Sequence, residues 1–530
     1  MNKHKQQVVN ECSESYLKDF LNSLNNFSKD LATIREDVLA AKQVDTEDYN
    51  GTVPNGQKKK FPRKLNDYEN AIILHTLCEF RLLKLGSAKR SGVLAVYLED
   101  KGIYSIEEID IKKEIRMLAP TANKRECNEV ADLLTGLSEA VELTTNSFLV
   151  PVKNGILNRN TQCLEHFDSE YAFLTKLAVK YEENVQKPII TMPDGMLWDI
   201  DSWVRDLANQ DPEVEYLLWQ VIVDCILTNY SSKKAILFYS RQGNNGKGTF
   251  GQMIKNILGK GNYSSLSVVS FKHNFLPSLL FGVGANISDE NPVGQYIDSV
   301  RDFKASVTGD DIIINPKNRQ PFPFQFNGAN IQMFNELPKV KDKSDSFYRR
   351  IILVPFITSF TNNGERTYIK NDYIHRTEVL EYVLKKALEM DFDEYIVPQI
   401  SQELLGEFKE DNNPVLQFWK ELEPELKWDL IPIAFLYDLY VSWTKKTNPS
   451  GRPASKKVFK EDITKLLEDS DSWFFKDMPV YTGMKMDVDE PLITEYGLID
   501  WMDRQAASLA PPQQRSFVRA NTYRSCLVRL

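Results

Sequence analysis

A glycine-rich turn, Gly243-Asn-Asn-Gly-Lys-Gly-Thr249, lies between the apolar run Ala235-Ile-Leu-Phe-Tyr239 and a helical pattern that continues through Ile257. Strand, glycine turn and helix, in that order, are what a nucleotide phosphate needs. Glycines let the backbone close on an anion with its N–H groups turned inward, the helix N-terminus adds partial positive charge, and Lys247 reaches the terminal phosphates. The order predicts an α/β core that binds a nucleoside triphosphate with Mg²⁺ through Gly243, Asn244, Asn245, Gly246, Lys247, Gly248 and Thr249. Two positions depart from the usual Gly-x-x-x-x-Gly-Lys-Ser/Thr pattern: Arg241 stands at the first glycine and Gly248 at the hydroxyl. Gly248 has no oxygen to offer Mg²⁺, so Thr249 or a water must replace it.

At 530 residues the chain has room for three or four domains. Its 26% charged and 42% hydrophobic residues are those of an ordinary globular protein. A net charge of −9 gives no global attraction to nucleic acid, so any such contact needs local basic patches. Cys12, Cys78, Cys127, Cys163, Cys225 and Cys526 are scattered without a Cys-x-x-Cys pair. Reduced thiols in a cytoplasmic protein are expected, with neither a disulfide frame nor a zinc site. The N-terminus lacks the apolar core of a signal peptide and no apolar run approaches about 18 residues, so no membrane association is expected.

Residues 1–66 read as a helical segment, with Leu17, Phe20, Leu21, Leu24, Phe27 and Leu31 at helical spacing, followed from residue 42 by a linker ending in Lys58-Lys-Lys60, Arg63 and Lys64. Residues 67–232 read as a mostly helical domain. It is interrupted near 148–158 by a hairpin whose turn is Asn154-Gly155, and Trp203, Leu207, Tyr216, Leu218, Trp219, Ile222 and Ile226 take core positions. The ATPase region spans 233–410. Residues 411–530 form a C-terminal domain: a helix through Ile433, Leu436, Tyr437, Tyr440 and Trp443, a break at Asn448-Pro-Ser-Gly451, a helix over Ser455–Leu467 and an extended Trp473–Tyr481. That order is compatible with a winged helix. The stretch from Ala506 looks loosely ordered.

Chemistry-bearing residues follow the glycine loop in a set order. A short strand ends in Asp289-Glu290, one acid for the Mg²⁺ shell and one to polarise the attacking water. Thr308-Gly-Asp-Asp311 leads into two strands whose connecting tip carries Lys317, Asn318 and Arg319, suited to backbone phosphates. The alternating Phe322, Phe324 and Phe326 read as core rather than a base-stacking platform. Asn335, at the end of the next strand, can orient water beside the γ-phosphate. Arg349-Arg350 offers one charge for phosphate in a neighbouring subunit and one for a local pair.

Taken in order, Asn245-Gly-Lys247, Asp289-Glu290, Thr308-Gly-Asp310, Asn335-Glu-Leu-Pro338 and Arg349-Arg350 resemble the motifs of superfamily III helicases. The branch is that of phage, plasmid and poxvirus primase-helicases, and the resemblance covers residues 68–480. Within it the chain is similar to the replication initiator-helicases of staphylococcal pathogenicity islands and related mobile elements. The resemblance implies an AAA+-type P-loop core with a helical N-terminal domain and a C-terminal winged helix, assembled as a homo-oligomeric ring, a hexamer, in a bacterial host cell. ATP would lie between subunits, with Lys247, Asp289 and Glu290 on one side and Arg349 or Arg350 of the next subunit as the finger. Asp289 is variable among relatives, which makes Glu290 the firmer assignment. The 315–320 hairpin would carry single-stranded or forked DNA, with the 3′ to 5′ polarity usual for the family. Read from the residues themselves, Lys445, Lys446, Arg452, Lys456, Lys457 and Lys460 are candidate contacts for origin duplex, or equally the solvated side of a helix. Residues 1–66 leave too little room for a polymerising primase domain, and Asp201 reads as a helix N-cap rather than a metal ligand. The competing readings are a nucleotide-gated origin-binding initiator and a DNA-packaging or remodelling ATPase.

Overall fold

The computed structural model describes residues 30–87, 92–289, 291, 296–317, 320–360, 366–449, 451–468, 470–481, 488–502 and 523–530. Two compact units emerge: Met1–Pro338 with Ser344–Gln402, and Lys339–Lys343 with Glu403–Leu530. Among the described residues no helix is long and apolar enough to cross a membrane.

The first unit opens with α1 (Leu31–Thr52), capped by Asp30, which buries Leu31, Ile34 and Val38. The expected linker from residue 42 is therefore helical through Thr52. The second half of α1 buries none of its residues, so it shows no apolar stripe to betray it. Leu17, Phe20, Leu21, Leu24 and Phe27 lie outside the described residues. α2 (Asp67–Leu77) and α4 (Lys124–Leu137) start with reciprocal capping boxes, Asn66 with Glu69 and Asn123 with Glu126. With α3 (Glu108–Leu118) they pack on a sheet of β1 (Phe80–Lys84), β2 (Gly92–Leu98), β3 (Ile103–Ser105) and β4 (Ala140–Glu142), ordered β3-β2-β1-β4. This part of the molecule is α/β, not mostly helical as expected. The runs Phe80-Arg-Leu-Leu-Lys84 and Gly92-Val-Leu-Ala-Val-Tyr-Leu98 carry too little alternation for periodicity to separate a buried strand from a helix.

The predicted hairpin is present as β5 (Leu149–Val152) and β6 (Gly155–Asn158), extended by β7 (Cys163–Glu165). Its turn is Lys153-Asn154, because Val152 pairs with Gly155. Asn154 instead clamps the backbone of Tyr181, and a Cβ on Gly155 would stand 2.3 Å from Glu165 O. The segment between β7 and β8 (Ile190–Thr191) is irregular rather than helical. β9 (Leu197–Trp198) then leads to α5 (Ile200–Leu207) and α6 (Pro212–Ile226), where Tyr216 is exposed and the other anticipated core residues are buried. Asp199, not Asp201, caps α5 through Ser202 N; Asp201 binds Tyr382 Oη at 2.9 Å and Lys386 Nζ at 2.7 Å.

From here the chain builds a parallel sheet. β10 (Ala235–Tyr239) runs into α7 (Lys247–Leu258), followed by β11 (Tyr263–Ser264) and β12 (Ala285–Ser288). β13 (Tyr296–Ile297), α8 (Arg301–Thr308) and the antiparallel pair β14 (Asp311–Ile314) and β15 (Phe322–Gln325) precede β16 (Ala329–Phe334). β17 (Lys339–Val340) belongs to the second unit; α9 (Asp345–Tyr348) and β18 (Ile351–Pro355) return to the first. The strand order is β11-β12-β16-β10-β18, all neighbours parallel. The face of β10, β12 and β16 carrying Ile236, Phe238, Ile287, Ile331 and Met333 joins one core with α6, α7, α10 (Thr367–Asn371) and α11 (Thr377–Glu389). Phe324 and Phe326 are buried as core, and Phe281 packs edge-on to Phe322 and Phe324.

α12 (Gln399–Asp411) leads into the second unit. There α13 (Pro414–Leu422), β19 (Leu430–Pro432), α14 (Ile433–Thr447), α15 (Lys456–Leu466), β20 (Trp473–Tyr481), α16 (Leu492–Glu495) and β21 (Tyr523–Arg529) enclose an aromatic core around Phe418, Tyr440, Phe459 and Trp473. β21 is the middle strand of the sheet β19-β21-β20. The last residues, expected to be loose, thus supply a central strand; residues 503–522 lie outside the described set.

Candidate active site

The glycine loop leaves the C-terminal end of β10, with β16 on one side and β18 on the other. The connection from β10 runs to the far edge at β11 and winds back to β16, whereas β18 lies on the opposite flank. That reversal opens a crevice at the strand ends, the place where α/β sheets bind ligands. The loop's shape is set locally. Asn245 Nδ2 donates to Gln242 O, and its Oδ1 accepts Lys247 N at 3.0 Å. Gly246 is left-handed (φ 81°), and a Cβ there would lie 2.3 Å from Leu207 Cδ2. The left-handed backbone favours glycine at this position, and any larger residue would also have to displace the Leu207 tip. Gly243 and Gly248 face open space, so Gly248 is not imposed by crowding. Arg241, at the departed first glycine, is exposed and donates from Nε to Tyr239 Oη at 2.9 Å.

Lys247 begins α7 and is buried, 7% exposed. Its Nζ donates to Phe334 O and to Asn335 Oδ1, each at 2.7 Å. Burial pulls its ammonium down to about 8. The fold thus unites two residues that the sequence reading named separately. Asp289 takes a different partner: its carboxylate is ion-paired with the buried Lys255 of α7. Glu290, Asn318 and Arg319 lie outside the described residues. Lys317 is exposed, three residues beyond the end of β14 in the connection toward β15.

Arg349 and Arg350 sit just before β18, at the opposite end of the sheet from the loop. Ala235 N, at the start of β10, donates to Arg350 O at 2.6 Å. Five residues of strand, roughly 16 Å, separate them from their own Lys247. Arg350 turns back on its own chain, donating from Nη1 to Ser346 O, while the Arg349 side chain is exposed.

Beside the loop is a cavity of about 410 Å³, lined by Asn244, Gly246 and Thr249 together with Trp198, Trp203 and Phe360. Phe360 N donates to Asn244 O at 3.0 Å and ties that wall to the loop. The sequence reading missed this cavity, because its walls come from segments far apart in the chain. It also missed a buried polar ladder on the other face of the sheet. Asn286 Nδ2 donates to Asn330 Oδ1 (3.1 Å), Gln332 Nε2 to the same oxygen (2.9 Å), and Asn291 Nδ2 to Gln332 Oε1 (3.1 Å). The signal available was the alternation of Asn330 and Gln332 with Ile331 and Met333 in a strand that is wholly buried. Such a network is tolerated only when its members find partners.

In the second unit, Lys456 and Lys457 are exposed on α15, and Lys460 Nζ lies 5.0 Å from the Phe475 ring centroid. Lys457 is 3.9 Å from Glu461.

Comparison with known proteins divides the chain in the same order. Residues 58–209 match the D5 N terminal like family, residues 238–350 a family of unknown function (DUF5906), and residues 410–496 the poxvirus D5 protein-like family. The protein named "Putative helicase L207/L206" of Acanthamoeba polyphaga mimivirus is 22% identical over 276 residues, 49% of this chain. The match spans only 27% of that relative's length. Among solved structures, the A form apo structure of the NrS-1 C terminal region aligns over 88% of this chain and 100% of its own, at 14% identity and a TM-score of 0.43. Another apo structure of that region (78% and 97% covered, 13% identity) gives 0.40. Scores at this level carry no argument about the fold. The two D5-type matches on either side of the glycine loop, with the viral relative, support a likeness to phage and viral primase-helicases.

Proposed function

We propose that the chain is an ATP-dependent DNA helicase of the superfamily III type, working in replication initiation as a ring-shaped homo-oligomer, a hexamer, on single-stranded and forked DNA. The single observation that carries the reading is Lys247, seated at the crevice of a parallel sheet and held by the end of β16 through Phe334 O and Asn335 Oδ1. A γ-phosphate arriving there competes for the same ammonium. Nucleotide occupancy would then be felt directly by β16. The helix N-terminal amides and the left-handed Gly246 suit the phosphates. The cavity beside the loop has the volume for base and ribose. Thr249, in the first turn of α7 and lining that cavity, is the residue to hold Mg²⁺ directly or through water, and its partner in metal binding would be Asp289 once released from Lys255. When bound, Mg²⁺ neutralises charge on the phosphates. Glu290 is assigned as the base that orients water, and Asn335 as the group that reports the γ-phosphate.

Arg349 points the site toward a second copy, since it stands a full strand length from its own loop. Lys317, Asn318 and Arg319 are assigned to the DNA backbone. The second unit, with the helices α14 and α15 beside a three-stranded antiparallel sheet and the exposed lysines of α15, suits a winged helix on origin duplex.

Fork unwinding measured beside ATP hydrolysis, with and without single-stranded DNA, tests the proposal. Strand separation that needs hydrolysis is expected, and Lys317→Ala with Arg319→Ala should abolish it. Robust hydrolysis without separation on any fork would favour the nucleotide-gated initiator instead.

The lowered lysine also sets a pH dependence. A phosphate beside Lys247 favours the charged ammonium, so nucleotide binding takes up a proton between about pH 8 and the ordinary lysine range. Affinity should fall as pH rises through about 8. Stability without nucleotide should move the other way, rising over the same window, because there the unfolded chain holds more protons. Calorimetry in buffers of different ionisation enthalpy reads the proton uptake; an affinity flat from pH 7 to 9.5 would show that Lys247 does not meet the phosphates.

A further inference from the structure

The β14–β15 hairpin is anchored on two sides. On one, it meets the nucleotide-binding sheet: Ser306, on the helix that feeds β14, accepts a hydrogen bond from Asn330 Nδ2 at 3.2 Å. Asn330 belongs to β16, whose far end carries both acceptors of Lys247. On the other side, the hairpin meets the N-terminal sheet. The chain leaving β1, an inner strand of that sheet, continues as Leu85-Gly-Ser87 against β15. Gln325 N donates to Leu85 O at 2.7 Å. At the base of β14, the Asp311 carboxylate accepts Ser87 N at 3.2 Å and the Ser87 hydroxyl as well.

Gly86 makes this approach possible. A Cβ there would stand 2.7 Å from Pro323 O and 2.9 Å from Pro323 C. Those are backbone atoms of the hairpin ladder, where Pro323 pairs with Ile313, so they cannot retreat without disturbing the pairing. A joint made from backbone contact and hydrogen bonds to a carboxylate has little of the slack of an ion pair between long side chains.

We infer that Leu85–Ser87 and the β14–β15 hairpin move as one body, with Asp311 as the positioning residue, so that the N-terminal α/β region travels with the hairpin and sets the position from which Lys317 meets DNA. This rests on the nucleotide-driven reading proposed above. Neither the glycine loop nor the hairpin tip suggests it, since the joint links residues more than two hundred positions apart, at a sequence separation of 224.

The test opens the joint in one variant and locks it in another. Asp311→Ala should cut DNA stimulation of ATP hydrolysis by about fivefold with basal hydrolysis kept, a size typical of single residues in a coupling element. Asp311→Asn, which retains an acceptor for Ser87, should restore it. Ser87→Cys with Asp311→Cys, oxidised to a disulfide and compared with its reduced form and with oxidised wild type, should keep DNA stimulation. Hydrogen exchange without nucleotide or DNA gives an independent reading: in Asp311→Ala, exchange should rise together at Leu85–Ser87 and at Phe322–Gln325. The inference is overturned if the disulfide blocks DNA stimulation reversibly, if Asp311→Ala keeps full stimulation, or if exchange rises on one side only. A wild-type chain without any ATP hydrolysis would defeat the helicase proposal, and the exchange result would then decide the joint by itself.

Discussion

Lys247→Ala is expected to lower ATP hydrolysis by about 10²–10³-fold, the loss typical of removing one preorganised charge-stabilising donor. The size follows from position. The ammonium is buried at the crevice, where screening by water is weak, and it is held in place by two acceptors at the end of β16. The folded state should survive the change, because burying the ammonium carries a desolvation cost that the variant removes, as its lowered pKa records. Steady-state hydrolysis with thermal unfolding as control reads both effects. Hydrolysis within a fewfold of wild type, in a folded protein, would mean that the phosphates bind elsewhere.

Mixing Arg349→Ala with Glu290→Gln subunits is expected to restore hydrolysis that neither variant shows alone. Each mixed interface can then pair an intact base with an intact arginine. An arginine supplied by a neighbour is worth about 10³–10⁵ in rate in phosphoryl transfer, so each homogeneous variant should be close to inactive. The same experiment with Arg350→Ala should differ. Arg350 binds Ser346 O within its own chain, and its Nε is buried without a hydrogen-bond partner among the described residues. Its loss should lower the unfolding temperature, and mixing should not repair that. Absence of rescue with Arg349→Ala, in assemblies shown to be mixed, would remove it from the finger role.

The glycine loop was legible because its constraints are local. Asn245 shapes the turn through contacts within three residues, Gly246 through its own left-handed backbone, and the apolar run of β10 sits directly before it. The β14–β15 hairpin was legible for the same reason, as was the buried character of Phe324 and Phe326. The N-terminal sheet was not, since the apolar runs of β1 and β2 suit a buried strand and a helix equally. Arg349 and Arg350 could not be separated either: adjacent in sequence, they differ only in what the fold places beside each. Tyr216 was misjudged because helical spacing gives the angle of a side chain but not how wide the covering core is.

By itself the sequence determined a glycine-rich turn between a strand and a helix, followed by carboxylates, a polar strand end and two arginines in a recognisable order. Only the tertiary structure decided which of these meet. Lys247 and Asn335 are 88 positions apart and touch because β16 pairs beside β10, while Asp289 is drawn to Lys255. The arginines are sent to the opposite end of the sheet by the parallel register of β10 and β18. Strand order and register come from long-range pairing and from how the connecting helices cover the sheet. No local pattern of residues encodes them.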